Sequence, residues 1–112
     1  MKTKKPNPFS GKAATTVIDL SDKTGLKTAV RYHDTNVVEF TPNSVTLNSG
    51  GWRTPTTKRR MNEVSDHYGL NFHVYQEDHE WWVVLNPPQY EMLPMSLAKT
   101  MPFSEGMKFP RI

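Results

Sequence analysis

No cysteine occurs anywhere in the 112 residues, so disulfides and thiolate metal sites are excluded, and the fold has to rest on packing, hydrogen bonding or self-association. Long apolar runs are missing as well. The longest, Trp81 to Leu85, spans five residues, where a membrane-spanning helix needs about 20. The basic start, Met1 to Pro8, has no apolar segment behind it and does not read as a secretory signal, which makes the cytoplasm the expected location. Charge of one sign does not dominate either: 14 Lys and Arg stand against 11 Asp and Glu, and a pI near 9.3 favours anionic partners without demanding them. No GxxxxGK[ST] phosphate loop is present, because the spacing from Gly51 to Lys58 is wrong for one, and that removes nucleotide-hydrolase readings. At this length the chain is one domain at most, too small for a multi-site enzyme.

Proline, by contrast, is plentiful and unevenly placed: seven of the nine lie outside residues 27–86. This divides the chain. Residues 1–26 read as a flexible basic arm with four Lys in its first 13 positions and a short strand or exchanged edge within Ala14 to Leu20. Residues 27–86 read as the folded core. Residues 87–112 read as a Pro- and Met-rich tail that packs on the core or on a partner, with Ser96–Lys99 drawn as a helical turn and Phe103–Gly106 as a following turn.

Within the core, Thr28 to His33 and Asn36 to Thr41 are β-prone, and Asp34-Thr35 between them has the polarity of a hairpin turn. Thr41-Pro42-Asn43-Ser44 predicts a second turn, after which Val45 and Leu47 alternate with Thr46 and Asn48 as a half-buried strand does. Thr54 to Gly69 carries helix signals at both ends: Thr54 as N-cap, Pro55 at the first helical position and Gly69 as the left-handed terminator. Thr57, Met61, Val64 and Tyr68 share one face of it, leaving Lys58, Arg59, Asn62, Ser65 and Asp66 toward solvent. Asn71 to Gln76 and Trp81 to Leu85 predict a closing hairpin across Glu77-Asp78-His79. The expected fold is α+β, an antiparallel sheet of about five strands in the order β-β-β-α-β-β with one helix packed on one face. Trp82 and Val84 make the second face of the last strand apolar too, so it needs a cover from the tail (Tyr90, Met92, Leu93, Met95, Leu97, Phe103) or from another subunit; a homo-oligomer is expected.

The block Leu47-Asn48-Ser49-Gly50-Gly51-Trp52-Arg53-Thr54-Pro55-Thr56-Thr57-Lys58-Arg59-Arg60-Met61-Asn62 resembles one in small bacteriophage- and prophage-encoded proteins. The resemblance implies a viral origin and action in the cytoplasm of a bacterial host, where such accessory proteins bind and neutralise or redirect a host component, host defences included. It brings no residue roles. Physically, a helix N-terminus already presents positive partial charge, and this one is followed by Lys58, Arg59 and Arg60, with Arg53 upstream and two glycines that let a ligand approach the backbone. An anion would reverse the sign of that arrangement, because N–H groups, the Thr56 and Thr57 hydroxyls and Arg forks all donate to phosphate oxygens. The ligand-binding candidates are therefore Arg53, Thr56, Thr57, Lys58, Arg59 and Arg60, and the partner class is a nucleotide or nucleic acid. The competing reading is a solvated charge run with Arg60 paired to Glu63 and glycines that only turn the chain.

Trp52, Tyr75 and Trp82 are candidates for stacking on bases, against a plain role in the core or a subunit interface. His33, His67, His73 and His79 form no metal signature, and no nucleophile and base are set by a periodic element, so no metal, cofactor or enzymatic activity is expected. Two rivals to ligand binding remain: an inhibitor that applies the Trp- and Met-rich surface to a host protein, and a structural virion component.

Overall fold

The computed structural model describes residues 14–85 and 99–111. Eight strands and one helix follow in the order β1 (Thr15–Asp19), β2 (Thr28–Tyr32), β3 (Thr35–Phe40), β4 (Ser44–Leu47), α1 (Pro55–Tyr68), β5 (Phe72–Glu77), β6 (Glu80–Leu85), β7 (Lys99–Pro102) and β8 (Met107–Pro110). The fold is α+β, with a single helix among the described residues. The strands divide into two antiparallel sheets, one of five in the order β1-β2-β3-β4-β8 and one of three in the order β5-β6-β7. The three strands beyond the expected five come from residues 15–19 and from the tail, where alternation is too short to stand out beside the prolines. Lys99 therefore starts a strand rather than closing a helical turn, while the turn over Phe103–Gly106 is present at Glu105-Gly106.

The tail does more than cover a face: it stitches the two sheets together. β7 pairs with β6 from Leu85↔Lys99 to Trp82↔Pro102, and β8 pairs with β4 from Leu47↔Met107 to Ser44↔Pro110. Between them Phe103 is buried edge-on to Trp81 at 5.3 Å, its N–H bonded to the Trp81 carbonyl. Arg111 then reaches the far end of the helix, donating to the Tyr68 carbonyl at 3.2 Å, one of the acceptors a helix C-terminus leaves open. Tyr90, Met92, Leu93, Met95 and Leu97 lie outside the described residues.

The core forms where the inner faces of both sheets meet the helix. Val30, Val38, Phe40, Val45, Leu47 and Phe109 from the large sheet face Phe72, Val74, Trp81, Val83 and Leu85 from the small one, with Met61 and Val64 of α1 between them. Each such side chain contributes roughly 1.5–3 kcal/mol by leaving water. The helix ends follow from local chemistry: Thr54, extended at φ −105° and ψ 160°, accepts the Thr57 N–H, and Gly69 at φ 65° supplies the left-handed turn. Asp78 and His79, at φ 52° and 66°, make the two-residue turn between β5 and β6, so Glu77 pairs rather than turns.

Asn62 and Ser65 do not face solvent as their side of the helix suggested. Ser65 is buried; its hydroxyl donates to the Phe72 carbonyl at 2.7 Å and accepts the Phe72 N–H at 3.0 Å. Asn62 repeats the pattern one step along, donating to the Val74 carbonyl at 2.9 Å and accepting the Val74 N–H at 2.7 Å. Two polar side chains thus stand in for a missing strand and close the free edge of β5.

Candidate functional site

The basic block enters the fold through the loop from β4 to α1. Ser49 is buried, and the left-handed Gly50 (φ 65°) sits so close to Thr35 that a Cβ would lie 2.1 Å from its hydroxyl, which only glycine avoids. The loop does bring a backbone N–H group, that of Ser49, to an anion, but the anion is the chain's own. Glu105 accepts the Ser49 N–H at 2.6 Å and the Ser49 hydroxyl. Desolvation pushes its carboxyl upward; those two bonds, the nearby Gly51 N–H and the Arg53 charge more than reverse this and hold it below the ordinary carboxylate range. Arg53 lies 5.1 Å over the Phe103 ring.

The helix N-terminus offers few donors. Pro55 has no N–H, and that of Thr57 is taken by Thr54 at 3.2 Å, which leaves Thr56 in the first turn. Thr57 is fully buried, its hydroxyl 3.0 Å from that of Thr54, so it does not face a ligand. Lys58, Arg59 and Arg60 lie in the second turn, where the helix dipole has largely faded. Their crowding is therefore a milder electrostatic conflict than the block implies.

Arg60 leaves the candidate set altogether. Only 7% exposed, it donates from Nε to the Thr15 hydroxyl at 3.0 Å and from Nη1 to Glu63 at 2.7 Å, with its guanidinium 5.9 Å over Tyr32. The reason is helical geometry: residues 57, 60, 61, 64 and 65 form one stripe, and a long aliphatic stem can join the apolar part of it while the head finds partners at the rim. The Glu63 partner three residues on was the sequence signal for this.

Of the remaining candidates, Lys58, Arg59 and Tyr75 line one cleft and Trp52 a second, while Arg53, Thr56 and Trp82 line neither. The first, of about 580 Å3, lies between α1 and β5 and is lined by Lys58, Arg59, Asn62, Glu63, Tyr75 and His73 among others. Arg59 is exposed there and makes no ion pair among the described residues, and Lys58 is half-buried, its ammonium 5.9 Å over the Trp81 ring. Tyr75 lies directly across from Trp82 in the sheet register, and both are half-buried on its outer face. The second cleft, of about 340 Å3, is lined by Tyr32, His33, Asp34, Thr35, Trp52 and Thr54. Trp52 is 67% exposed there, apart from Tyr75 and Trp82. Sequence reasoning missed this second cleft, because Tyr32 and His33 close on Trp52 only when the β2–β3 turn meets the β4–α1 loop.

Among the described residues no group of three or more His, Asp or Glu is placed to hold a metal ion. No helix among them is long and apolar enough to cross a membrane.

The family model described as Kyanoviridae Gp96 protein matches residues 2–110. The chain belongs to that family. It is thus a bacteriophage protein, and the assignment rests on nearly the whole chain rather than on the Leu47–Asn62 block. No curated protein and no solved structure matches it. The family fixes where this phage protein comes from, and its clefts have to speak for what it does.

Proposed function

We propose that this phage protein is a non-enzymatic accessory protein that holds a phosphate-bearing ligand, a nucleotide or a nucleic-acid strand, in the host cytoplasm, and that the ligand lies in the cleft between α1 and β5. The observation that carries this reading is the meeting of Lys58 and Arg59 with Tyr75 in one cleft, with Trp82 across the strand from Tyr75. Cations to pair with phosphate and rings to stack on bases are the two things a single-strand or nucleotide site needs. Glu63 and Asp66 line the same cleft further along the helix, so the phosphate belongs at its Lys58–Arg59 end. The attraction has to be local. Residues 14–85 and 99–111 contain ten Lys and Arg and ten Asp and Glu, so the formal excess of three positive charges comes from the rest of the chain, chiefly Lys2, Lys4, Lys5 and Lys12.

Fluorescence anisotropy with labelled oligothymidylate and with a fluorescent nucleotide, titrated from about 50 mM salt, tests the reading. Binding should weaken steeply with salt, and Lys58→Ala/Arg59→Ala should flatten the logarithmic salt slope by about two. Absence of binding at the lowest salt, or binding that ignores both substitutions, overturns it.

A second reading, contact with a host protein, is favoured by Trp52, whose indole stands largely in water beside a cleft. The adaptable methionine surface contributes less to it, since Met101 and Met107 are half-buried against the core. Trp52→Ala separates the two readings: it abolishes host-protein capture and spares oligonucleotide binding.

A further inference from the structure

A sheet edge is a row of unpaired N–H and C=O groups, and folded proteins usually blunt it. Three of the four edges here are blunted. β5 is closed by Asn62 and Ser65 of the helix. β7 is four residues long with Lys99 and Pro102 at its ends, and β8 is four residues long with Lys108 and Pro110. β1 has none of these devices: it contains no lysine or proline, its register with β2 runs unbroken from Thr15↔Tyr32 to Asp19↔Thr28, and among the described residues no strand lies beyond it.

The ladder shows which groups face outward. Leu20 donates its N–H to the Lys27 carbonyl at 2.8 Å and His33 donates to the Ala14 carbonyl at 2.9 Å, so the even-numbered residues of this strand are the ones bonded to β2. Val17 and Asp19 therefore turn their N–H and C=O away from the sheet. The geometry points to a second copy of this chain as the occupant, with two β1 strands antiparallel about a two-fold axis and Val17 opposite Val17, which joins two five-stranded sheets into one. That register is self-complementary. The outward groups of the two Val17 residues meet, Thr16 faces Ile18, Asp19 faces Thr15, and no charge opposes a like charge. Val17 and Ile18, both half-buried in the single chain, gain a cover. A contact of one five-residue strand per copy is small, so the dimer dissociates in the micromolar range.

Charge exchange on the solvent side of the strand tests this. Thr16→Asp/Ile18→Asp and Thr16→Lys/Ile18→Lys each set like charges opposite one another in the pair, whereas an equimolar mixture sets opposite charges together. Sedimentation at about 100 µM should show a wild-type dimer, a dimer fraction at least about tenfold lower for each variant alone, and recovery on mixing. Amide exchange on the wild-type chain reads the same contact without substitution: Val17 and Asp19 should slow as concentration rises. A monomeric wild type, a dimer untouched by either variant, failure of the mixture to recover, or concentration-independent exchange at Val17 each overturns the proposal, as does an edge filled only by a peptide of another protein.

Discussion

The two sides of α1 carry the same kind of side chain and treat it in opposite ways. Arg59 stands in a cleft without an ion pair among the described residues, while Arg60, the next residue, is sealed between Thr15, Glu63 and Tyr32. One hundred degrees of helical rotation separates a guanidinium available to a ligand from one that holds β1 and the helix together. A run of basic residues is thus not one feature; the helical period cuts it into surface and scaffold.

Breaking the scaffold side should have the largest effect. Arg60→Ala removes its bonds to Glu63 and to the Thr15 hydroxyl and leaves a void under Tyr32, and it should lower unfolding stability by about 2 kcal/mol, short of a fully buried pair because Glu63 is partly hydrated. Arg60→Met keeps the packed stem without the charge and should recover most of that loss. Arg59→Ala should move stability by no more than about 0.5 kcal/mol. Urea denaturation of the three variants measures all of this, and equal losses for Arg60→Ala and Arg59→Ala would erase the distinction.

Asn62 and Ser65 extend the comparison along the same helix. Ser65→Ala leaves the N–H and C=O of buried Phe72 without partners and should cost about 2 kcal/mol. Asn62→Ala exposes the corresponding groups of Val74 to the open cleft, where water can replace the amide, and about 1 kcal/mol is expected. A smaller loss at Ser65 than at Asn62 would mean that the β5 edge is wetter near Phe72 than its burial indicates.

Much of this was legible from residue order. Thr54, Pro55 and Gly69 mark the helix boundaries as they stand, because caps are local chemistry, and the strands from Thr28 to Leu47 and from Phe72 to Leu85 follow from alternation with turn residues between them. The roles of Asn62 and Ser65 were not legible, because a polar residue on or beside an apolar stripe reads as solvent-facing unless its distant partner is known; for Arg60 the Glu63 partner could be read, but not Thr15 or Tyr32. β7 and β8 were hidden for a related reason: four-residue strands ending in proline have too little pattern of their own and are recruited by edges formed elsewhere in the chain. The Ser49-Gly50-Gly51 loop reads as a strand end whose glycines let a ligand approach the helix start; that its Ser49 N–H is taken by a carboxylate 56 residues away, at Glu105, was not legible.

That carboxylate supplies the smallest test and the one with a definite pH signature. Its folded-state pKa lies below the ordinary value of 4.5. A depressed carboxyl contributes stability that is fully present above its unfolded pKa and is lost as pH falls through the folded one. Glu105→Gln keeps the shape and removes the charge, so the wild type should be the more stable by about 1 kcal/mol at neutral pH, a figure held down by the exposure of the side chain. The difference should shrink once pH drops below about 4.5 and vanish when the wild-type carboxyl is itself protonated. Thermal unfolding of both proteins across that range measures it. A difference that stays constant through acid pH would mean that shape, not charge, ties the β7–β8 turn to the glycine loop, and the contrast between anion sites filled from within and cations left open to a ligand would lose its internal member.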